Sequence, residues 1–174
     1  MKIIYFLGLL GIWLLSDSIF IRTANAEIKT IAVSVDGLAC PFCAYGIEKK
    51  IKRLKGVKEI KILLNAGTVI LKCTENKSPA FADVRSAVKD AGFTPRVMKI
   101  TAHGTIIVDE VKGLLFKFNE SEPPIPLTDL EGSLKGKALL FAENNVGVEL
   151  IAEVLRLDGD VWAFSPERLD EVSN

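Results

Sequence analysis

Between residues 27 and 101 the spacing of apolar residues switches back and forth between the two-residue period of a strand and the longer period of a helix. Few folds accept that order. Ile31, Val33 and Val35 alternate with small or polar residues, as in a half-buried strand, and Gly37 breaks it. Cys43, Ile47, Ile51 and Leu54 follow at helical spacing, which predicts a helix over 44–54 ended by Gly56. Val57, Ile60, Ile62 and Leu64 lead through a second strand into a turn at 65–67. Val69, Leu71 and Cys73 then share one face of a third strand. Ser78 suits a helix N-cap and Pro79 the first helical position, ahead of a stripe of Phe81, Val84, Val88 and Ala91. Gly92 suits the left-handed position that closes this helix. Val97, Met98 and Ile100 make a short fourth strand. The order βαββαβ is the ferredoxin-like arrangement of an α+β domain.

Cys40-Pro41-Phe42-Cys43 stands where the first strand gives way to the first helix. Two thiols at this spacing can converge on one soft cation, or cycle between dithiol and disulfide. Cys40 falls in the loop and Cys43 in the first helical turn, where unpaired N–H groups and the partial positive charge of the helix favour the thiolate. With no hard ligand nearby, the pair suits Cu(I) first, with Hg(II) and Zn(II) as alternatives. A closed structural zinc site takes about four protein ligands. The chain offers only His103 and Cys73 besides the pair. Cys73 lies along the third strand, about 16 Å from the end nearest the motif at strand rise, and reads as a core cysteine. A structural disulfide across so small a loop stabilises little. The redox alternative, a thiol–disulfide oxidoreductase, uses the same two residues.

Residues 31–100 resemble the heavy-metal-associated domain family, found in copper chaperones, heavy-metal P-type ATPases and the periplasmic mercury-binding protein. The resemblance rests on Gly37-Leu38-Ala39-Cys40-Pro41-Phe42-Cys43, set against the family's Gly-Met-x-Cys-x-x-Cys, and on Ala91-Gly92-Phe93 at the end of the second helix. It implies that Cys40 and Cys43 are the metal ligands. It also implies that Leu38, in place of the usual Met, packs under the metal loop, and that Phe93 limits solvent access beside it. The Pro41-Phe42 pair is bulkier than is common in the family and bears on the choice of metal. A basic first helix, with Lys49, Lys50, Lys52, Arg53 and Lys55, matches the face by which relatives dock acidic partner domains. The partner so implied is a metal donor or acceptor, such as a metal-transporting membrane protein.

Residues 1–26 have the form of a signal peptide: Lys2, an apolar run over 3–15, and Ala24-Asn25-Ala26 as a cleavage site. The rival reading is a membrane anchor through residues 3–21. Both place the remainder outside the cytoplasm, in the periplasm or an equivalent compartment. Of 22 basic and 22 acidic residues, two and one lie in this leader, which leaves 20 against 21 and a net charge of −1. That balance carries no nucleic-acid signal. The expected division is a leader (1–26), a metal-binding domain (27–101) and a β-rich domain (102–174). In the last, strands are expected at 104–108, 114–118, 138–142 and 161–164, with a turn at 158–159; residues 148–157 fit a helix through Val148, Ile151, Ala152 and Leu155, but the flanking turns favour a strand there too. They suggest a small antiparallel barrel, OB-like in outline. No catalytic set is recognisable, so the chain reads as a carrier of soft metal rather than an enzyme.

Overall fold

The computed structural model describes residues 27–119, 122–157, 159 and 161–172. The leader, its cleavage site and Asp158 of the expected turn lie outside the described residues. The first half runs β1 (Glu27–Asp36), α1 (Pro41–Ile51), β2 (Val57–Leu63), β3 (Thr68–Cys73) and α2 (Phe81–Asp90) into β4 (Thr94–Asp109). Its strands pair antiparallel in the order β2-β3-β1-β4, with Ile31 opposite Leu71 on one side and Ile100 on the other. This is the ferredoxin-like sheet, and both helices cover one face of it. Ile31, Val33, Val69, Leu71, Met98 and Ile100 are buried beneath Ile47 and Ile51 of α1 and Val84 and Val88 of α2. Each such side chain contributes about 1.5–3 kcal/mol by leaving water.

The helix boundaries differ from the sequence reading. The first helix starts at Pro41, three residues early, because proline suits the first helical position and Cys40 caps it. The second starts at Phe81 behind Ala80, so Ser78 does not cap it. Pro79 is instead buried ahead of the helix.

The second half adds β5 (Gly113–Lys117), β6 (Ile125–Pro126), α3 (Gly132–Glu143), β7 (Gly147–Arg156) and β8 (Trp162–Glu171) to the same sheet. β4 joins the halves, and the position between 101 and 102 falls inside it. One edge of β4 pairs with β1 as far as His103 and with β5 from Thr105. The opposite edge pairs with β7 from Lys99 to Thr105. β7 thus covers the edge that a βαββαβ sheet leaves open. Gly104 sits at the changeover. A Cβ there would lie 2.5 Å from the Lys117 carbonyl oxygen and 2.7 Å from the Phe116 ring. The strands expected at 97–100 and 104–108 are therefore one strand, with glycine permitting a close approach rather than a break.

The expected strand at 138–142 is a helix. Leu134, Ala138, Phe141 and Ala142 share its inward stripe, while Leu139 and Leu140 are exposed. Of the two readings of 148–157 the structure takes the strand, as far as Arg156, and the last strand runs on past 164 through a register shift at Pro166. The expected barrel is not closed as a sheet. β6 has two residues, and just past its end a single isolated parallel bridge, Leu127 to Phe164, links this segment to β8 among the described residues. A cluster of aromatic rings lies within the core of this half. Phe116, Phe118 and Phe164 meet edge-on at centroid distances of 5.2–6.3 Å. Phe81 of α2 reaches into them, 5.5 Å from Trp162 and 6.0 Å from Phe164, so the two halves share one continuous core.

Candidate metal centre

The loop between β1 and α1 is held from below and from both sides. Gly37 has φ +82°, a left-handed turn that lets the chain leave β1, and Leu38 then drops into the core at 3% exposure. The turn after β2 buttresses the strand end, since Val35 N–H donates to the Gly67 carbonyl at 2.7 Å. Arg96 on β4 pairs with Asp36 at the end of β1.

Phe93 comes from the other direction. α2 ends in a Schellman turn: Gly92, at φ +89°, donates to the Lys89 carbonyl, and Phe93 N–H donates to Val88. That turn sets the Phe93 ring under the loop, 3.8 Å from where a Gly37 Cβ would stand. A side chain at Gly37 would meet the ring as well as the unfavourable φ.

Cys40 is the N-cap of α1, and its Sγ accepts the Cys43 N–H at 3.2 Å. Both cysteines are half-buried, with Cα atoms 5.3 Å apart, and their sulfurs are joined as a disulfide. Reduced, the pair gives two thiols at the positive end of a helix with no acidic residue in its first turn. The arrangement suits paired thiolates facing solvent on one side and the core on the other.

The other sequence candidates stand apart from this pair. Cys73 pairs with Val57 at the far end of β3, five residues beyond Thr68, whose partner is Ser34. Burial first, and the nearby Glu27 charge second, push its thiol up to about 11. His103 is half-buried on the helix-free face with Nε2 3.1 Å from Glu149. Among the described residues no group of three or more His, Cys, Asp or Glu is placed to hold a metal.

Lys49 and Lys50 in the last turn of α1, and Lys52 and Arg53 just beyond it, are all exposed. They divide into two sets. Lys50 and Arg53 line a shallow groove with Asp83 and Asp90 of α2. Lys49 and Lys52 face away from it, and Lys52 pairs with Glu48 one turn back. Sequence reasoning missed two features: the Asp36–Arg96 clamp, between residues far apart in the chain, and the exposure of Tyr45. The three-residue spacing from Phe42 to Tyr45 is the signal that could have found the second.

Residues 32–94 match the heavy-metal-associated domain model. Copper-transporting ATPase 2 of Mus musculus is 30% identical over 112 residues, which are 62% of this chain and 8% of that protein. Its Homo sapiens counterpart is 25% identical over 139 residues, 79% of this chain and 9% of that protein. The chain thus spans less than a tenth of either relative. Among solved structures, the CopZ metallochaperone superposes at TM-score 0.36 and 22% identity, over 38% of this chain and 98% of that one. A putative copper-ion-binding protein from Bacillus anthracis str. Ames does so at 0.37 and 27%, over 42% and 100%. The match to the heavy-metal-associated domain falls within the first half of the sheet, and a second, β-rich half follows it in the same sheet.

Proposed function

We propose that the protein binds a soft metal ion through Cys40 and Cys43 and passes it to a partner by ligand exchange, with Cu(I) as the favoured cargo. The observation that carries this reading is the convergence of the two sulfurs at the N-terminus of α1, with no third donor beside them among the described residues. Two thiolates leave a soft cation open to a third. An incoming thiolate adds to the metal, a three-coordinate intermediate forms, and one Cys40 or Cys43 bond breaks. No electron changes hands. The copper-transporting ATPases among the relatives support Cu(I) over Hg(II) and Zn(II), and the soft donor pair agrees. Leu38 and Phe93 would hold the loop, and the basic face of α1 would meet a metal donor or acceptor such as a transporter domain. The leader supports a site of action outside the cytoplasm. The order β4-β5-β6-β8-β7 supports reading the second half as an OB-like barrel brought round by one bridge.

Native mass spectrometry of the anaerobically reduced protein, with Cu(I), Hg(II) and Zn(II) in competition, tests the cargo. One Cu(I) per chain is expected. It should be lost in Cys40→Ser and Cys43→Ser and kept in Cys73→Ser. Loss of metal in Cys73→Ser alone would overturn the ligand assignment. A second reading has its own observation, the bonded sulfurs, which are the resting form of a thiol–disulfide oxidoreductase. Insulin reduction that depends on both Cys40 and Cys43 would favour it; negligible turnover with rapid Cu(I) exchange to a small dithiol is the expected result.

A further inference from the structure

α3 is apolar on two sides, and the fold covers only one of them. Leu134, Ala138, Phe141 and Ala142 form the stripe that meets the core. Turned about 100° from it runs a second stripe at four-residue spacing, Lys135, Leu139 and Glu143. All three are exposed, and Leu140 beside them is 55% exposed. A shallow groove between α3 and the β4–β5 hairpin continues the apolar surface, with Val108, 62% exposed, among its lining residues. A helix with leucines on both sides is ordinarily packed on both.

Charge says what packs there. Among the described residues neither Lys135 nor Glu143 has an ion pair, whereas Lys137, on the other flank of the helix, pairs with Asp170. Lys135 and Glu143 stand one turn to either side of Leu139, about 12 Å apart, too far to pair with each other. The stripe therefore reads basic, apolar, acidic. Turned end for end it reads acidic, apolar, basic, so it complements itself. A second, antiparallel α3 crossing at Leu139 would meet Lys135 with Glu143 twice and Leu139 with Leu139 once. Self-complementarity of this kind is what a two-fold interface requires. A lipid surface would instead leave the Glu143 carboxylate without a partner.

We propose that the protein forms a two-fold dimer through α3, with Leu139 on the axis and Lys135 of each copy paired to Glu143 of the other. Leu140 on one flank and Val108 on the other widen the apolar centre. One helix pair buries less than the about 800 Å² per partner of a standard interface, so the dimer is weak, in the micromolar range. The metal loop takes no part in it. Thr94 pairs with Asp36 beside that loop, and Val108 lies roughly 45 Å further along β4 at strand rise. Both copies keep Cys40 and Cys43 open to solvent, and the dimer does not depend on what those thiols carry.

Sedimentation velocity of the full chain, purified as its cells process it, tests this over about 1 μM to about 1 mM. Reductant and chelator are present, so that neither a disulfide nor a metal ion can join two copies. The wild type should pass reversibly from monomer to dimer. Lys135→Glu and Glu143→Lys each turn both ion pairs into repulsions, and each should weaken dimerisation by about tenfold or more. Lys135→Glu/Glu143→Lys restores both pairs and should return to within about threefold of the wild type. Mixed in equal amounts, the two single variants should form a heterodimer although neither dimerises well alone. Leu139→Asp, which sets two carboxylates on the axis, should stay monomeric. Rescue by the double variant and by mixing separates lost pairing from lost folding. A wild type that is monomeric throughout the range would overturn the proposal. So would a dimer that the single reversals leave intact, or a double variant and a mixture as weak as the single variants.

Discussion

The two halves of the molecule share a sheet and differ in what fills them. From β1 to the start of β4 the core is aliphatic: Ile31, Val33, Ile47, Ile51, Leu71, Val84 and Ile100. Beyond Gly104, aliphatic residues such as Ile106, Leu150 and Leu169 surround a cluster of rings, Phe116, Phe118 and Phe164. The aliphatic half has regular spacing and short turns, and its β1–α1 connection brings two sulfurs together. The aromatic half has a two-residue strand and a sheet that is not closed. The contrast shows where each half gets its order. Two amphipathic helices over four strands can hold about 70 residues without a metal. The second half has one helix and depends on a few large rings, one of which, Phe81, is borrowed from the first.

The sharpest way to break this comparison is to remove the ring the halves share. Phe164 is fully buried, touches Phe81, Phe116 and Phe118, and its carbonyl accepts the Thr128 N–H. Phe164→Ala should cost about 3–5 kcal/mol, read from urea unfolding followed by circular dichroism. Hydrogen exchange then decides how the halves are coupled. Because β4 and Phe81 bridge them, amides of β1 and β3 should lose protection together with those of β7 and β8. Loss confined to β7 and β8 would mean two units that unfold separately.

A smaller change tests the joint itself. Gly104→Ala puts a Cβ against a backbone oxygen that cannot move aside. The expected loss is about 1–3 kcal/mol, the range for overpacking a filled interior. Gly136→Ala is the matched control. That glycine is in α3 with nothing within 4 Å of the added carbon, so the change should stabilise by about 0.5–1 kcal/mol. Equal effects at the two positions would mean that β4 does not hold the halves together at Gly104.

The same contrast explains what could be read from residues alone. In the first half every strand and helix carried its period in its own residues, and Gly37 and Gly92 marked real left-handed turns. The Cys40–Cys43 convergence was legible because three-residue spacing across a helix start brings side chains together whatever lies around them. In the second half local signals misled. The run Ala138-Leu139-Leu140-Phe141-Ala142 is continuous and apolar, so it has no period, and the helix shows only when Leu134 is counted with Ala138 and Phe141. Gly104 read as the start of a separate strand because its reason for being glycine is Phe116, twelve residues away. The Asp36–Arg96 clamp and the reach of Phe81 to Trp162 are contacts between distant residues, and nothing local announces them.

The smallest expected effect separates the two ends of the first half. Cys40 and Cys43 lie at the loop, while Cys73 lies at the opposite end of β3, where burial and then Glu27 push its thiol up to about 11 from an ordinary 9.0. Below the ordinary value the thiol keeps its proton whether the chain is folded or not, and its contribution to stability is complete. Between the two values only the unfolded chain releases the proton. Stability from this residue is therefore lost as pH rises from about 9 towards 11. Urea midpoints of the disulfide-intact protein, in which Cys40 and Cys43 do not titrate, should fall across that window. Cys73→Ala should lower stability near neutral pH by at most about 1 kcal/mol and should then lose less than the wild type as the pH is raised. The difference between the two slopes isolates the one thiol from lysine and tyrosine titrations common to both proteins. Parallel slopes would show that Cys73 is as open to solvent as the pair at the loop, and the distinction between a working end and a packed end of this half would go with it.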